Sequence, residues 1–219
     1  MQLPMDIFSL GHASFKLRGK KATVVTDPYN SDTVGIKFPK NVEANILTVS
    51  HEHPDHNDVH AVSGEPYVVR GPGEYEINGV SIIGISTFHD AEGGAVRGKN
   101  TAYRIEIDGV RIAHLGDVGH VLTSAQLDAL DGIDILFLPV GGEMTVDAKA
   151  AAAIVADMEP KIVIPMHYAT EKLDPTFAAK LSPVALFLKE IGKEGIVPVT
   201  KLSVSKDKIP LEMQVVLFE

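Results

Sequence analysis

Cysteine is absent from all 219 residues. That excludes disulfide staples, thiolate metal sites and a thiol nucleophile together, so any metal must be held by imidazole and carboxylate. Long apolar runs are missing too: no stretch reaches the ~18 residues a membrane helix needs. The opening "MQLPMDIFSLGHASFKLRGKK" lacks the basic head and apolar core of a secretory leader. We therefore expect a soluble, cytoplasmic protein, intact as written, with no membrane partner. Positive charge is in deficit, 20 basic against 29 acidic side chains for a net charge of −9. Such a chain repels phosphate backbones at long range, which argues against nucleic acid as a partner and leaves room only for a local basic pocket. Repeats, low-complexity tracts and long linkers are also lacking. A chain of this length can remove roughly 70% of its unfolded surface from water, and we read residues 1–219 as one domain, with only a soft division of the strands near residue 110.

What is present is a series of short apolar runs rich in Val and Ile, bounded by Gly, Pro, Asn and Asp, which is the strand signal. "KATVVTDP", "ANILTVSH", "VSIIGISTFHD", "TAYRIEIDG", "VRIAHLGD", "IDILFLPVGG" and "PKIVIPMHY" are the clearest; "EPYVVRG", "PVTKLSV" and "MQVVLFE" read as shorter or edge strands. Helices are fewer. "TSAQLDAL" and "TVDAKAAAAIVADMEP" carry Thr123 and Thr145 as N-cap candidates. "DPTFAAKLSPVALFLKEIGKEG" reads as a helix interrupted near Pro183 and ended at Gly192 or Gly195. Asn78-Gly79 and Asp108-Gly109 mark tight hairpins and so antiparallel neighbours. Strands with helices between and after them predict an α/β or α+β layered fold with mixed sheets.

The strands share a feature at their carboxyl ends. "ATVVT" runs into Asp27, "ANILTVS" into His51, "VSIIGISTF" into His89, "VRIAHLG" into Asp117 and "KIVIPM" into His167. Ligands bind where such ends open into loops. The densest stretch is "SHEHPDH". Alternation along extended chain points His51 and His53 the same way, and Asp55 and His56 follow Pro54 in what reads as the first turn of a helix. One short loop then offers ligands to two metals. Imidazole and carboxylate suit zinc, and also manganese or iron. Two such ions can share a hydroxide, lowering the pKa of water from 15.7 to about 7 and stabilising both the attacking and the leaving oxygen.

"TDP", "SHEHPDH", "FHD", "HLGD" and "PMHY" resemble, in order, the five motifs of the metallo-β-lactamase superfamily, over nearly the whole chain. "GHASFKL", "HLGDVGH" and "VIPMHY" are similar to the branch containing ascorbate-6-phosphate lactonase and the N-acyl phosphatidylethanolamine phospholipase D enzymes. The resemblance implies a four-layer αβ/βα sandwich of two mixed sheets with helices outside, and a dinuclear site where strand ends meet. By that likeness His51, His53 and His89 hold one metal, Asp55, His56 and His167 hold the other, and Asp117 bridges them. Asp27 would support the metal-binding loop from behind by hydrogen bonding.

The remaining histidines divide by position. His114 or His120 could stand in for His89, because the spacing to the third motif varies. His114 otherwise reads as a packed core residue, His120 as a loop residue able either to touch substrate or to serve structurally, and His60 as a helix-surface one, while the family likeness implies a pocket role for His12. Arg70, Arg97 and Lys99 lie in Gly-rich turns and could neutralise a phosphate or carboxylate, although such loops are usually only loops. The reading is a hydrolase with two divalent ions, zinc first, acting on an ester-type bond of a small molecule, lactone or phosphodiester. Asp55, His12 and His120 are the candidate catalytic side chains. A nuclease of the same superfamily, a dioxygen-reducing diiron protein and a catalytically silent metal-binding protein are the alternatives. The substrate is unspecified, and assembly into a homo-oligomer is compatible with the sequence.

Overall fold

The computed structural model describes residues 4–219. In chain order the strands are β1 (Met5–Gly11), β2 (Ser14–Arg18), β3 (Thr23–Thr26), β4 (Ile46–Val49), β5 (Tyr67–Arg70), β6 (Gly73–Ile77), β7 (Val80–Phe88), β8 (Lys99–Ile107), β9 (Val110–His114), β10 (Ile135–Pro139), β11 (Ile162–Met166), β12 (Leu202–Val204) and β13 (Gln214–Val215). The helices are α1 (Ser31–Val34), α2 (Ser124–Ala129), α3 (Ala148–Met158), α4 (Pro175–Ala178) and α5 (Val184–Glu190).

Two mixed sheets result. One runs β12-β1-β2-β3-β4-β5, and the other β13-β11-β10-β9-β8-β7-β6. Antiparallel pairing joins β12, β1, β2 and β3, then β4 and β5 add in parallel. In the second sheet β6 to β9 form an antiparallel meander, followed by parallel β10, β11 and β13. Both expected hairpins occur: Asn78 and Gly79 have φ of 53° and 77°, Asp108 and Gly109 of 52° and 78°, the paired left-handed residues of a tight turn that matches strand twist.

Side-chain alternation assigns the layers. Val24, Ile46, Ile135, Phe137, Ile162 and Ile164 point between the sheets with Phe15 and Tyr103. Their neighbours Leu136 and Val163 turn outward and pack with Ile154 and Val155 of α3 and Phe187 and Leu188 of α5. β10 and β11 are therefore buried on both faces, which is why their sequences are continuously apolar. Outside the first sheet, Val25 and Leu47 are covered by Val42, Val62, Phe38 and Val59, residues of loops and of a single 3₁₀ turn at Val59–Ala61, so that outer layer is thinner than the helical layer the family likeness implied.

Three local expectations are corrected. The helix read after Pro54 is a turn: Asn30 N–H donates to Pro54 O at 2.9 Å and Asp58 N–H to Pro28 O at 2.8 Å, so ties to the neighbouring loop replace a costly short-helix nucleus. His60 accordingly sits on the 3₁₀ turn, exposed. Asp147, not Thr145, caps α3, accepting Ala150 N–H at 2.8 Å, while the Thr145 hydroxyl donates to Val146 O. The soft division near residue 110 is not where the sheets change; the chain leaves the first sheet after β5 and returns only with β12. Thr123 does cap α2, in a capping box with Gln126, and Pro183 begins α5 after the break that follows α4.

Candidate metal centre

The five strand-end residues meet on one edge of the sandwich. β3 and β4 deliver Asp27 and His51 from the first sheet; β7, β9 and β11 deliver His89, Asp117 and His167 from the second. Asp117 is central. Its Oδ2 lies 3.1 Å from His167 Nε2, 3.2 Å from His56 Nε2, 3.3 Å from His89 Nε2 and 3.9 Å from His51 Nε2. The loop after β4 supplies the rest: His51 Nε2 and His53 Nδ1 are 3.1 Å apart, and Asp55 Oδ2 lies 3.4 Å from His56 Nε2 and 3.8 Å from His167 Nε2.

Among the described residues, three overlapping groups of donor atoms could hold an ion: His51, His53 and His89; His51, His56 and Asp117; and His12, Asp55, His56 and His167. Their spacing suits a cation. Zinc–nitrogen bonds of about 2.0–2.1 Å place tetrahedral neighbours roughly 3.3 Å apart, close to the Asp117–imidazole distances above. His56 Nε2, His167 Nε2 and Asp117 Oδ1 are buried without a hydrogen bond, a costly state for polar atoms unless a ligand completes them. The donor set therefore fits one or more divalent ions. Every sequence-predicted metal residue, His51, His53, Asp55, His56, His89, Asp117 and His167, is brought into these groups.

Asp27 explains how the rings are aimed. Its carboxylate accepts Ser50 N–H at 2.8 Å, Ser50 Oγ–H at 2.5 Å and His56 Nδ1–H at 2.9 Å. Since the Ser50 hydroxyl donates to Asp27, its oxygen accepts from His51 Nδ1–H at 2.9 Å. One buried carboxylate thus fixes the tautomer of two histidines and leaves both Nε2 lone pairs facing the centre. Asp27, His12 and His167 all carry left-handed backbone, with φ of 39°, 55° and 53°, strain of order 1–3 kcal/mol each that persists only where the surroundings impose it. The Asp27→Asn protein should keep its fold and lose metal affinity by about 10–100-fold; competition with a chromogenic chelator measures this, and unchanged affinity would show that Asp27 does not orient the ligands.

The electrostatics are those of a charged cluster in a dry site. Burial disfavours the His56 and His167 cations, but attraction to Asp117, reinforced by Asp55, outweighs it, raising both and taking His167 to about 9. Burial likewise opposes ionisation of Asp55 and Asp117, yet His56 beside Asp55, and His167 and His56 beside Asp117, hold both carboxylates well below their usual range. Burial and then neighbouring His56 push His51 down to about 3; burial and then His167 push His12 down to about 4.

The other histidines separate clearly. His12 has a fully buried side chain and sets its Nε2 3.3 Å from Asp55 Oδ2, so it belongs to the donor group of Asp55, His56 and His167 as well as to the pocket expected from sequence. His114 is a core residue: it accepts Gly116 N–H at 3.3 Å, and its Nε2–H donates to Ala13 O at 2.9 Å. His120 stays outside the cluster. Its Nε2 accepts Phe88 N–H at 3.2 Å and its Nδ1–H donates to Val121 O at 2.8 Å, so both ring nitrogens are engaged with backbone, and the catalytic role expected of it gives way to a structural one.

Sequence reasoning missed Ser50 and Asn100. Asn100 donates to Thr87 Oγ1 at 2.7 Å and Leu115 O at 2.8 Å, and accepts Asp117 N–H at 3.0 Å, fixing the loop that presents Asp117. Gly116 sits at φ +54° with its Cα so close that an added Cβ would lie 2.5 Å from both Ser50 Cβ and Asn100 Oδ1. The adjacency of Ser50 to His51 was a usable signal; nothing local marked Asn100.

Comparison with known proteins gives the same picture. A family model described as a β-lactamase superfamily domain matches residues 6–167, a span that includes all of these side chains. A UPF0173 metal-dependent hydrolase from Thermococcus onnurineus is 30% identical over 186 residues, covering 74% of this chain and 83% of that relative. A crystal structure of a metallo-β-lactamase superfamily protein from Thermotoga maritima superposes with a TM-score of 0.81 at 38% identity, covering 98% of each chain. Igni18, a metallo hydrolase from Ignicoccus hospitalis, shares the fold at a TM-score of 0.65 and 18% identity, over 92% of this chain and 97% of that one. With these likenesses added to the convergence of imidazoles on Asp117, the chain belongs to the metallo-β-lactamase superfamily and, within it, to the UPF0173 metal-dependent hydrolase family.

Proposed function

We propose that this metal-dependent hydrolase works with two divalent ions, zinc first and manganese or iron as alternatives, on an ester-type bond of a small molecule, a lactone or a phosphodiester. The observation that supports the reading is Asp117 Oδ2 standing within 3.1–3.9 Å of four imidazoles drawn from three different donor groups, where it could serve more than one cation. His51, His53 and His89 would hold one ion, and Asp55, His56 and His167 the other. Bound there, the ions supply a lowered pKa for water and stabilise charge on the attacking and leaving oxygens.

Hydrolysis adds a water oxygen to the carbonyl carbon or phosphorus, breaks the bond to the leaving oxygen and moves one water proton to that oxygen. Asp55 is the side chain placed to handle the proton. Its carboxylate stays ionised, held below its usual range by the cluster despite burial, and its side chain keeps 12% exposure against 2% for Asp117, so it can meet a substrate that Asp117 cannot. His12, pushed to about 4 by burial, is neutral at pH 7, and its Nε2 lies 3.3 Å from Asp55 Oδ2, where an Nε2–H can donate to the ionised carboxylate and hold it in place. The reading is tested by restoring zinc, manganese or iron to chelated protein and screening lactones, phosphodiesters, thioesters and amides. Turnover of a lactone or phosphodiester supports it; turnover confined to amides or thioesters contradicts the bond assignment.

The raised histidines give a pH prediction. In the metal-free fold His167 keeps its proton up to about pH 9, so its contribution to stability is fully present below its ordinary value of 6.5 and is lost as pH rises through 9. A cation must displace that proton. Zinc uptake at pH 8 should release about one proton or more per chain, and affinity should keep rising with pH toward 9. Calorimetry in buffers of different ionisation enthalpy reads the number directly; a heat independent of buffer would contradict it.

A further inference from the structure

A cavity of about 500 Å³ opens beside the metal loop, and His51, His53, Arg70, Arg97, Lys99 and Asn100 are among its lining residues. Its charged lining is three cations against one carboxylate, Glu52, in a chain whose net charge is −9. Glu52 is already paired with Arg70. Arg97 and Lys99 are exposed, and among the described residues no carboxylate pairs with either, so that of the three cations on this lining only Arg70 is neutralised.

The loop that carries them is built, not loose. Asp90, next to His89, accepts four backbone N–H groups: Glu92 and Gly94 at 2.8 Å on Oδ1, and Val96 at 3.0 Å and Arg97 at 2.7 Å on Oδ2. Its charge is thereby satisfied within the loop. Gly98 N–H donates to Gly94 O at 3.1 Å and His89 N–H to Gly98 O at 3.0 Å, which folds the segment back on itself and sets Arg97 and Lys99 close in space to His89. The Arg97 guanidinium reaches across to Glu143 O at 3.4 Å, a contact with a neutral acceptor that leaves its charge uncompensated.

We infer that Arg97 and Lys99 form an anion subsite, so that the substrate is a small ester bearing a phosphate or carboxylate group that rests on these two cations while its scissile bond lies over the histidine cluster. The backbone that carries the two cations is fixed before binding, and a local field opposite in sign to the chain's net charge draws the anion into the cavity. The inference rests on the hydrolase reading for the scissile bond, but its test needs no turnover.

The test is a titration of the full chain, as isolated, with inorganic phosphate and separately with acetate, followed by backbone amide NMR. At least one of the two anions should cause saturable shifts at Arg97, Gly98, Lys99 and Thr101, and which one does so distinguishes a phosphate from a carboxylate group. Arg97→Gln and Lys99→Gln should each weaken that binding by roughly fivefold, the upper range for an exposed charge pair, and the double variant by more. Shifts absent for both anions, or unchanged in the double variant because the metal centre alone holds the anion, overturn the subsite. Normal anion binding with no hydrolysis of any ester would instead retire the reaction and leave the subsite standing.

Discussion

The Asp117→Asn protein is expected to fold, to carry fewer ions than the parent and to hydrolyse its substrate at least ~10³-fold more slowly, a loss of about 4 kcal/mol of transition-state stabilisation. Folding should survive because Asn has nearly the same shape and the loop is held through the Asp117 backbone N–H bonded to Asn100. Metal retention should not. Asp117 Oδ2 stands within 3.1–3.9 Å of His167, His56, His89 and His51, and whichever way the amide turns, Asn removes the negative charge that the proposed pair of cations would need between them. Circular dichroism, metal content and turnover measured on one preparation separate these effects. A variant with full metal content and normal turnover would show that Asp117 is not shared.

The Asp55→Ala protein should lose turnover by about 10²–10⁴-fold, the usual worth of a positioned general acid–base group, with a further loss through weakened binding of the ion that Asp55, His56 and His167 would hold under the proposed function. The two contributions can be told apart by saturating the variant with metal: the second is then restored and the first is not. His12 offers a control, since its Nε2 lies 3.3 Å from Asp55 Oδ2. Asp55→Ala protein that turns over normally at saturating metal would remove the residue from the reaction.

Much of this centre was legible in the sequence because strand ends are local features. An apolar run of alternating or doubly buried residues can be recognised without knowing its neighbours, and the polar residue that follows it must then sit at the sheet's edge; that reasoning reached Asp27, His51, His89, Asp117 and His167. What it could not reach depends on contacts between distant segments. His12, which the family likeness and not the strand ends pointed to, joins the cluster because a left-handed turn between β1 and β2 faces a loop 43 residues away. Asn100 acts through Leu115 and Asp117, in the loop that follows a different strand, β9. His120 shows the opposite error: its position three residues after Asp117 suggested a role with substrate, and backbone partners at Phe88 and Val121 took both of its nitrogens. The turn after Pro54 was read as a helix because the composition allows either, and the bonds that decide between them go to Pro28 and Asn30.

Crystallography of the metal-loaded protein at the zinc absorption edge reaches the core of the account most directly. Two anomalous peaks should appear on either side of the Asp117 carboxylate, one among His51, His53 and His89, the other among Asp55, His56 and His167. A lone peak in fully loaded protein, or peaks lying away from these side chains, would contradict the two-cation centre.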